Sequence, residues 1–177
     1  MYDVSTINIT LLNETKTNQT ISEKGEEVLI SVRVAINLSS GTGFIIIDDK
    51  LIEAVYEIKH VNNRVSYIVL NIKNKKIGLI CIYVPNETCK EKDRENFYHV
   101  LQFNFEILKL KTDFIIVGED FNTTLGREVV ENVKGRYSFN EETYENGIAL
   151  IEYAVKDKLV IVDSFFSKKT RKTINMC

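Results

Sequence analysis

An aspartate and an asparagine two residues apart close an apolar stretch in the second half of the chain, Phe114-Ile115-Ile116-Val117-Gly118-Glu119-Asp120-Phe121-Asn122. If strand geometry continues through them, both side chains point to one side. A carboxylate there can take a proton from water or hold a metal-bound water. An amide beside it can steady a water or a phosphate oxygen. The same pair also suits an Asx-type turn after a strand, and the local pattern does not separate the two. Near the other end, Leu11-Leu12-Asn13-Glu14-Thr15-Lys16 sets a carboxylate where an apolar strand stops. Strand ends are where rigid scaffolds present functional groups, although a solvated glutamate before a turn is the commoner cause of such a pattern. A third segment, Cys81-Ile82-Tyr83-Val84-Pro85-Asn86, ends a buried strand in a phenol. Its hydroxyl can donate to a phosphate oxygen, or Tyr83 is simply a half-buried aromatic, which taken alone is the commoner case.

The elements that must position these groups follow from periodicity. Thr6 to Leu12 reads as a strand, as do Glu27 to Ile36 and Gly43 to Ile47. Leu51 to Ile58 and Arg64 to Ile72 alternate, with Asn62-Asn63 as the turn between them. Ile77 to Val84 is a near-continuous apolar run, as expected of a strand covered on both faces. A helix is predicted over Asp93 to Lys111, from Phe97, Val100, Leu101, Phe105, Leu108 and Leu110. Phe114 to Val117 is a buried strand and Gly118 to Asn140 a polar loop. A second helix covers Asn146 to Lys156, with Ile148, Leu150, Ile151, Tyr153 and Ala154 as its apolar side, and Leu159 to Val162 is a last strand. Strands first, then strand–helix–strand units, describe a layered α/β fold.

A chain of 177 residues with 44% hydrophobic content can bury a real core in one domain. Its formal net charge is −2 and its pI about 5.8. That argues against a pure nucleic-acid-binding module, whose affinity comes from a basic excess. It argues less against a metal nuclease, where a cation offsets the acidic ligands and the phosphate together. Cys81, Cys89 and Cys177 match neither a zinc site nor a disulfide framework, so reduced thiols are expected. There is no signal-peptide pattern at Met1 and no bilayer-length apolar run, so a nuclear or cytoplasmic protein away from membranes is expected.

Taken in order, these segments resemble the endonuclease/exonuclease/phosphatase superfamily, and within it the apurinic-endonuclease-like domains of non-LTR retrotransposons and craniofacial development protein 2-like sequences. Leu12-Asn13-Glu14-Thr15-Lys16 is similar to the family's Gln-Glu-Thr motif, Gly41-Thr42-Gly43-Phe44 to its Gly-x-Gly-Phe strand, Tyr83-Val84-Pro85-Asn86 to Tyr-x-Pro-Asn, and Asp120-Phe121-Asn122 to the core of Gly-Asp-Phe-Asn. The resemblance runs from about Ile7 to about Thr173. It implies a four-layer α/β sandwich (α+β) with two mixed β-sheets flanked by helices, a single domain spanning 1–177. It implies Mg²⁺, with Mn²⁺ possible, at Glu14, Asp120 activating the attacking water, Asn122 orienting phosphate or water, and Tyr83 on the scissile phosphate. The implied activity is DNA nicking by a monomer. Three departures stand beside it. The family's first-strand asparagine and its late Ser-Asp-His strand are not matched, so a domain truncated at both ends is expected. His60 and His99 fall elsewhere and are read as structural. Glu119 stands where the family has Gly-Asp directly, and it either binds metal or repels phosphate. The competing readings are a catalytically dead or fragmentary retroelement-derived domain and a phosphatase of the same superfamily.

Overall fold

β-Branched and aromatic residues dominate the chain between Thr42 and Tyr83, and their alternation builds strands with two distinct faces. The computed structural model describes residues 9–14, 21–25, 28–32 and 41–167. The chain divides into two compact units, residues 1–122 and 123–177.

In the first unit, β1 (Ile9–Asn13), β2 (Ile21–Lys24), β3 (Leu29–Val32) and β4 (Thr42–Ile46) form one sheet in the order β1-β4-β3-β2. A short helix, α1 (Asp49–Glu53), leads into the second sheet. There β5 (Val55–His60), β6 (Val65–Ile72), β7 (Lys75–Tyr83) and β8 (Phe114–Asp120) lie in sequence order, and α2 (Glu91–Lys109) connects β7 to β8. The first sheet is antiparallel throughout. The layered α/β class holds, but among the described residues only the second sheet is mixed, through its parallel β7–β8 pair. This corrects the expectation of two mixed sheets. A hairpin suffices for antiparallel neighbours, whereas a parallel pair needs a crossover, and α2 is a crossover between paired strands of this kind.

The second sheet shows why its strands read as unbroken apolar runs. On one face Ile68, Leu70, Leu79 and Cys81 meet Leu29, Phe44, Ile46 and Leu11 from the first sheet. On the other face lies α2: a Cβ added at Gly78 would meet Leu108 at 3.5 Å. Val65, Tyr67, Val69, Ile80 and Ile82 are all buried there too. Acidic Glu91 and Asp93 in the first turn of α2 and Lys109 in the last complement its dipole. At its far end Lys111 Nζ donates to Glu57 Oε2 at 2.5 Å and to the Tyr67 hydroxyl at 3.2 Å. The lysine holds the Glu57 carboxyl below its usual range, and burial pushes the Tyr67 phenol up.

Four other expectations change. Phe114 to Val117 is a strand but not a buried one: β8 ends the sheet order, and Phe114 and Ile116 are 60% and 56% exposed. Leu51 to Ile58 begins as helix, because the Asp48 side chain accepts the Leu51 N–H at 3.0 Å and caps α1. Leu110 on the predicted apolar side of α2 is 91% exposed, one residue past the helix. β2 was not foreseen, since Ile21-Ser22-Glu23-Lys24 carries a single apolar residue.

In the second unit, α3 (Glu145–Asp157) buries Asn146, Gly147, Leu150, Tyr153 and Ala154 and leaves Ile148 half-exposed, which corrects its predicted apolar side. Asn146 and Gly147 take Ile148's place because a Cβ at Gly147 would collide with the Thr124 carbonyl. Leu159 to Val162 is not a strand. Ile161 makes a single parallel bridge to Lys134, and Val162–Phe165 turn as a 3-10 helix. Lys134 organises this unit's loop. It is 0% exposed, and its Nζ donates to the carbonyls of Gly126 at 2.8 Å, Glu128 at 2.5 Å and Gly135 at 3.2 Å. One buried cation thus satisfies three backbone acceptors that would otherwise lose their hydration.

Replacing Lys134 by Met keeps the volume and removes every donor. The loss expected is about 1–3 kcal/mol for the loop, read as faster amide hydrogen exchange at residues 126–137 with β6 and β7 unchanged. Equal protection in the two proteins would show that the ammonium is not what holds the loop.

Candidate active site

Four side chains singled out by sequence lie in the first unit, on three strand ends. Glu14 follows β1, Tyr83 ends β7, Asp120 ends β8 and Asn122 lies two residues on. Tyr83 and Asp120 are register partners across the parallel pair. Adjacent strands are only about 4.8 Å apart. Glu14 reaches them from the other sheet, where its Oε1 accepts the Tyr83 hydroxyl at 2.6 Å. The Asn122 backbone N–H donates to Asp120 Oδ1 at 2.8 Å, and its side-chain amide donates to the Val84 carbonyl at 2.7 Å. The Asn122 amide also acts on the Tyr83 phenol, in the direction that favours its ionised form. Glu14, Tyr83, Asn122 and Asp120 therefore form one connected set.

Close approach of β1 makes the set possible. Cys81 Sγ donates to the Leu12 carbonyl at 3.2 Å, and a Cβ at Gly118 would meet Leu11 Cδ1 at 2.8 Å. The Leu11 side chain of β1 therefore lies directly over β8 at Gly118. Behind the set, a hydroxyl–imidazole chain joins the sheets. Thr42 Oγ1 and Ser66 Oγ lie 2.6 Å apart, Ser66 Oγ is 2.8 Å from His60 Nδ1, and His60 Nε2 is 2.9 Å from Ser31 Oγ. Thr42 and Ser66 are both 0% exposed. Thr42 pairs with Asn13, the residue before Glu14, and Ser66 pairs with Cys81.

The backbone bends sharply at two of the four positions: Glu14 has φ 46° and Asn122 φ 43°. Asparagine tolerates this left-handed region, whereas glutamate seldom adopts it. Such conformations cost of order 1–3 kcal/mol and gather at functional sites. Glu14 is exposed above a Tyr83 that is 5% exposed. The Glu14 carboxylate, by accepting the phenolic proton, and then burial, push the Tyr83 phenol above its ordinary range. Asn122 and Arg64 act the other way. The Arg64 guanidinium sits 5.1 Å from the Tyr83 ring centre and donates to the Tyr83 carbonyl at 3.1 Å. Sequence reasoning passed over Arg64 and the Thr42–Ser66–His60 chain. Arg64 directly follows the Asn62-Asn63 turn, but no local signal tied it to Tyr83.

Among the described residues no three His, Cys, Asp or Glu side chains gather as a metal cage. The side chain of Glu119 lies outside the described residues. The donors present are hard oxygens on two carboxylates. They suit an ion such as Mg²⁺, which keeps most of its waters and takes one or two carboxylates plus substrate phosphate. His99 lies exposed on α2, away from this set in sequence and element. Cys81 and Cys89 are free thiols. Among the described residues no helix is long and apolar enough to cross a membrane.

No protein-family model matches the chain. It is similar to craniofacial development protein 2 of Bos taurus, 25% identical over 128 residues, and to the same protein of Tragulus javanicus, 23% identical over 128 residues. Each alignment covers 72% of this chain but 21% and 22% of those proteins, so the chain spans about a fifth of the length of the curated relatives it matches.

The Tyr83 shift has a sign that can be read. Its bond to Glu14 stabilises the fold fully below the unfolded phenol's pKa of about 10 and is lost as pH rises through the higher folded value. Absorbance titration of the native chain and of Tyr83→Phe is expected to differ by one phenol ionising late, and Glu14→Gln to bring that ionisation earlier. A difference curve centred at or below the free-tyrosine value would show that the pair is not formed. Ser66→Ala, which strands a buried threonine hydroxyl and an imidazole nitrogen, is expected to lower the unfolding free energy by about 1–3 kcal/mol in urea.

Proposed function

We propose that this chain is a metal-assisted phosphodiester hydrolase of the endonuclease type, with DNA as substrate. The observation that supports it most is the connected set itself: Glu14 and Asp120, far apart in sequence, are linked through Tyr83 and Asn122 at adjacent strand ends. The resemblance of these same positions to the endonuclease/exonuclease/phosphatase motifs supports the substrate class, as does the similarity to craniofacial development protein 2.

Asp120 is the acceptor for the proton of an attacking water. Its Oδ1 is oriented by the Asn122 N–H, which fixes the carboxylate's plane. The single proton of the Tyr83 phenol is donated to Glu14 in this structure, and the phenol serves as the donor for a phosphate oxygen once the Glu14 carboxylate turns away to hold an ion. Asn122 orients a water or a phosphate oxygen, and the N–H it gives to the Val84 carbonyl fixes where its amide stands. Glu14, exposed at the mouth, is the residue that would hold Mg²⁺ or Mn²⁺. Such an ion, when bound, polarises a phosphodiester and offsets charge on the leaving 3′ oxygen.

A second reading is a catalytically silent relative. The direct bond between the Tyr83 hydroxyl and Glu14, which ties the two side chains to each other, favours it. One experiment separates the two: nicking of supercoiled DNA by the purified chain with Mg²⁺ and with a chelator. Mg²⁺-dependent nicking is expected, with Asp120→Ala and Tyr83→Phe each lowering the rate by about a hundredfold or more and Glu14→Ala raising the Mg²⁺ needed. Nicking that survives both Glu14→Ala and Asp120→Ala, or none at any Mg²⁺ concentration, would sink the hydrolase assignment.

A further inference from the structure

Beside the Tyr83 strand end lies a cavity of about 460 Å³ that the hydrolase reading leaves without a role. Arg64 enters it from the β5–β6 turn, Asn86 and Cys89 from the β7–α2 turn, and Asp93, Asn96 and Phe97 from the start of α2. Its size falls in the range of small-ligand sites. Phe97, 5% exposed, and the buried Pro85 give it an apolar floor, while the amides of Asn86 and Asn96 stand exposed at its rim.

Charge decides what suits it. The single cation of its lining, Arg64, is committed to the Tyr83 carbonyl and ring, and the Asp93 carboxylate lines the same cavity. A phosphate gains little there. A flat neutral group with donors and acceptors on its edge fits better. Its face lies on Phe97 and Pro85, and its edge meets side-chain amides, each of which both donates and accepts. The cavity also adjoins the reactive set. Arg64 bonds the Tyr83 carbonyl, and Asn86 follows Val84, whose carbonyl takes the Asn122 amide, by two residues.

We propose that this cavity receives a nucleobase of the substrate strand next to the scissile phosphate, an inference that rests on the polynucleotide reading above. It gives the chain a means of choosing where along a strand it cuts.

Cys89 lines the cavity as a free thiol, and Cys81 is buried. In the Cys177→Ser chain, alkylation of Cys89 by N-ethylmaleimide is followed by mass spectrometry with and without each of the four deoxynucleoside 5′-monophosphates. For a site of about millimolar affinity, ~10 mM nucleotide is expected to slow Cys89 about tenfold. Deoxyribose 5-phosphate is expected to leave the rate unchanged, and Asn96→Leu to restore it in the presence of nucleotide. Rates equal with and without all four nucleotides would overturn the proposal, as would protection by deoxyribose 5-phosphate as strong as theirs. The readout needs no cleavage and persists in Glu14→Ala. Protection without any nicking would defeat the hydrolase assignment and leave the base site standing, whereas nicking with Cys89 unprotected would do the reverse.

Discussion

The arrangement depends on one close crossing. β1 belongs to the first sheet, yet its backbone lies against β7 and β8 of the second, near enough for the Cys81 thiol to bond the Leu12 carbonyl and for Leu11 to occupy the space above Gly118. Apolar packing of Phe44, Ile46, Ile68 and Leu70 presses the sheets together. It is non-directional and would tolerate a slide of one sheet over the other. Directional contacts remove that freedom. The Thr42–Ser66–His60–Ser31 chain crosses the same interface, and each link holds only at one offset. Glu14 meets Tyr83 because the residue before it is paired to a strand already pinned in this way.

The division between polar and apolar contacts explains what each can do. Val65, Ile80 and Ile82 under α2 make the second sheet rigid, so Tyr83 and Asp120 share a fixed register at its end. The Glu57–Lys111–Tyr67 cluster closes that layer at the far end of α2 with a partly buried ion pair. Neither cluster takes part in the hydrogen bonds that join Tyr83 to Glu14 and Asn122 to Asp120 and Val84. They supply the stiffness that lets a single hydrogen bond from one sheet to the other be kept at 2.6 Å.

Much of this was legible in the residues. Ile77 to Val84 is unbroken because both faces of β7 are covered, and Val65 to Ile72 alternates against the same two layers, so both strands were readable from pattern alone. Strand ends drew attention to the four candidate residues, but local pattern alone left a solvated Glu14, a structural Tyr83 and an Asx turn at Asp120 open, and the resemblance to the family's motifs singled them out. The Asp48 cap hid in an alternating stretch that also fits a strand, and helix won because the carboxylate satisfied a backbone N–H locally. The Val162–Phe165 turn replaced a strand because Ile161 finds only one partner residue, Lys134. Arg64, Ser66 and His60 were illegible for a different reason. Their partners lie 19, 24 and 29 residues away, and no periodicity encodes such a pairing.

The left-handed backbone at Glu14 and Asn122 sets the molecule's durability against its use. Glycine relaxes that geometry, so a search for heat-resistant variants would favour it at both turns. The sturdier proteins so obtained would have discarded an acidic oxygen and an amide. Whatever those two groups contribute is set against the cost of the torsions that hold them.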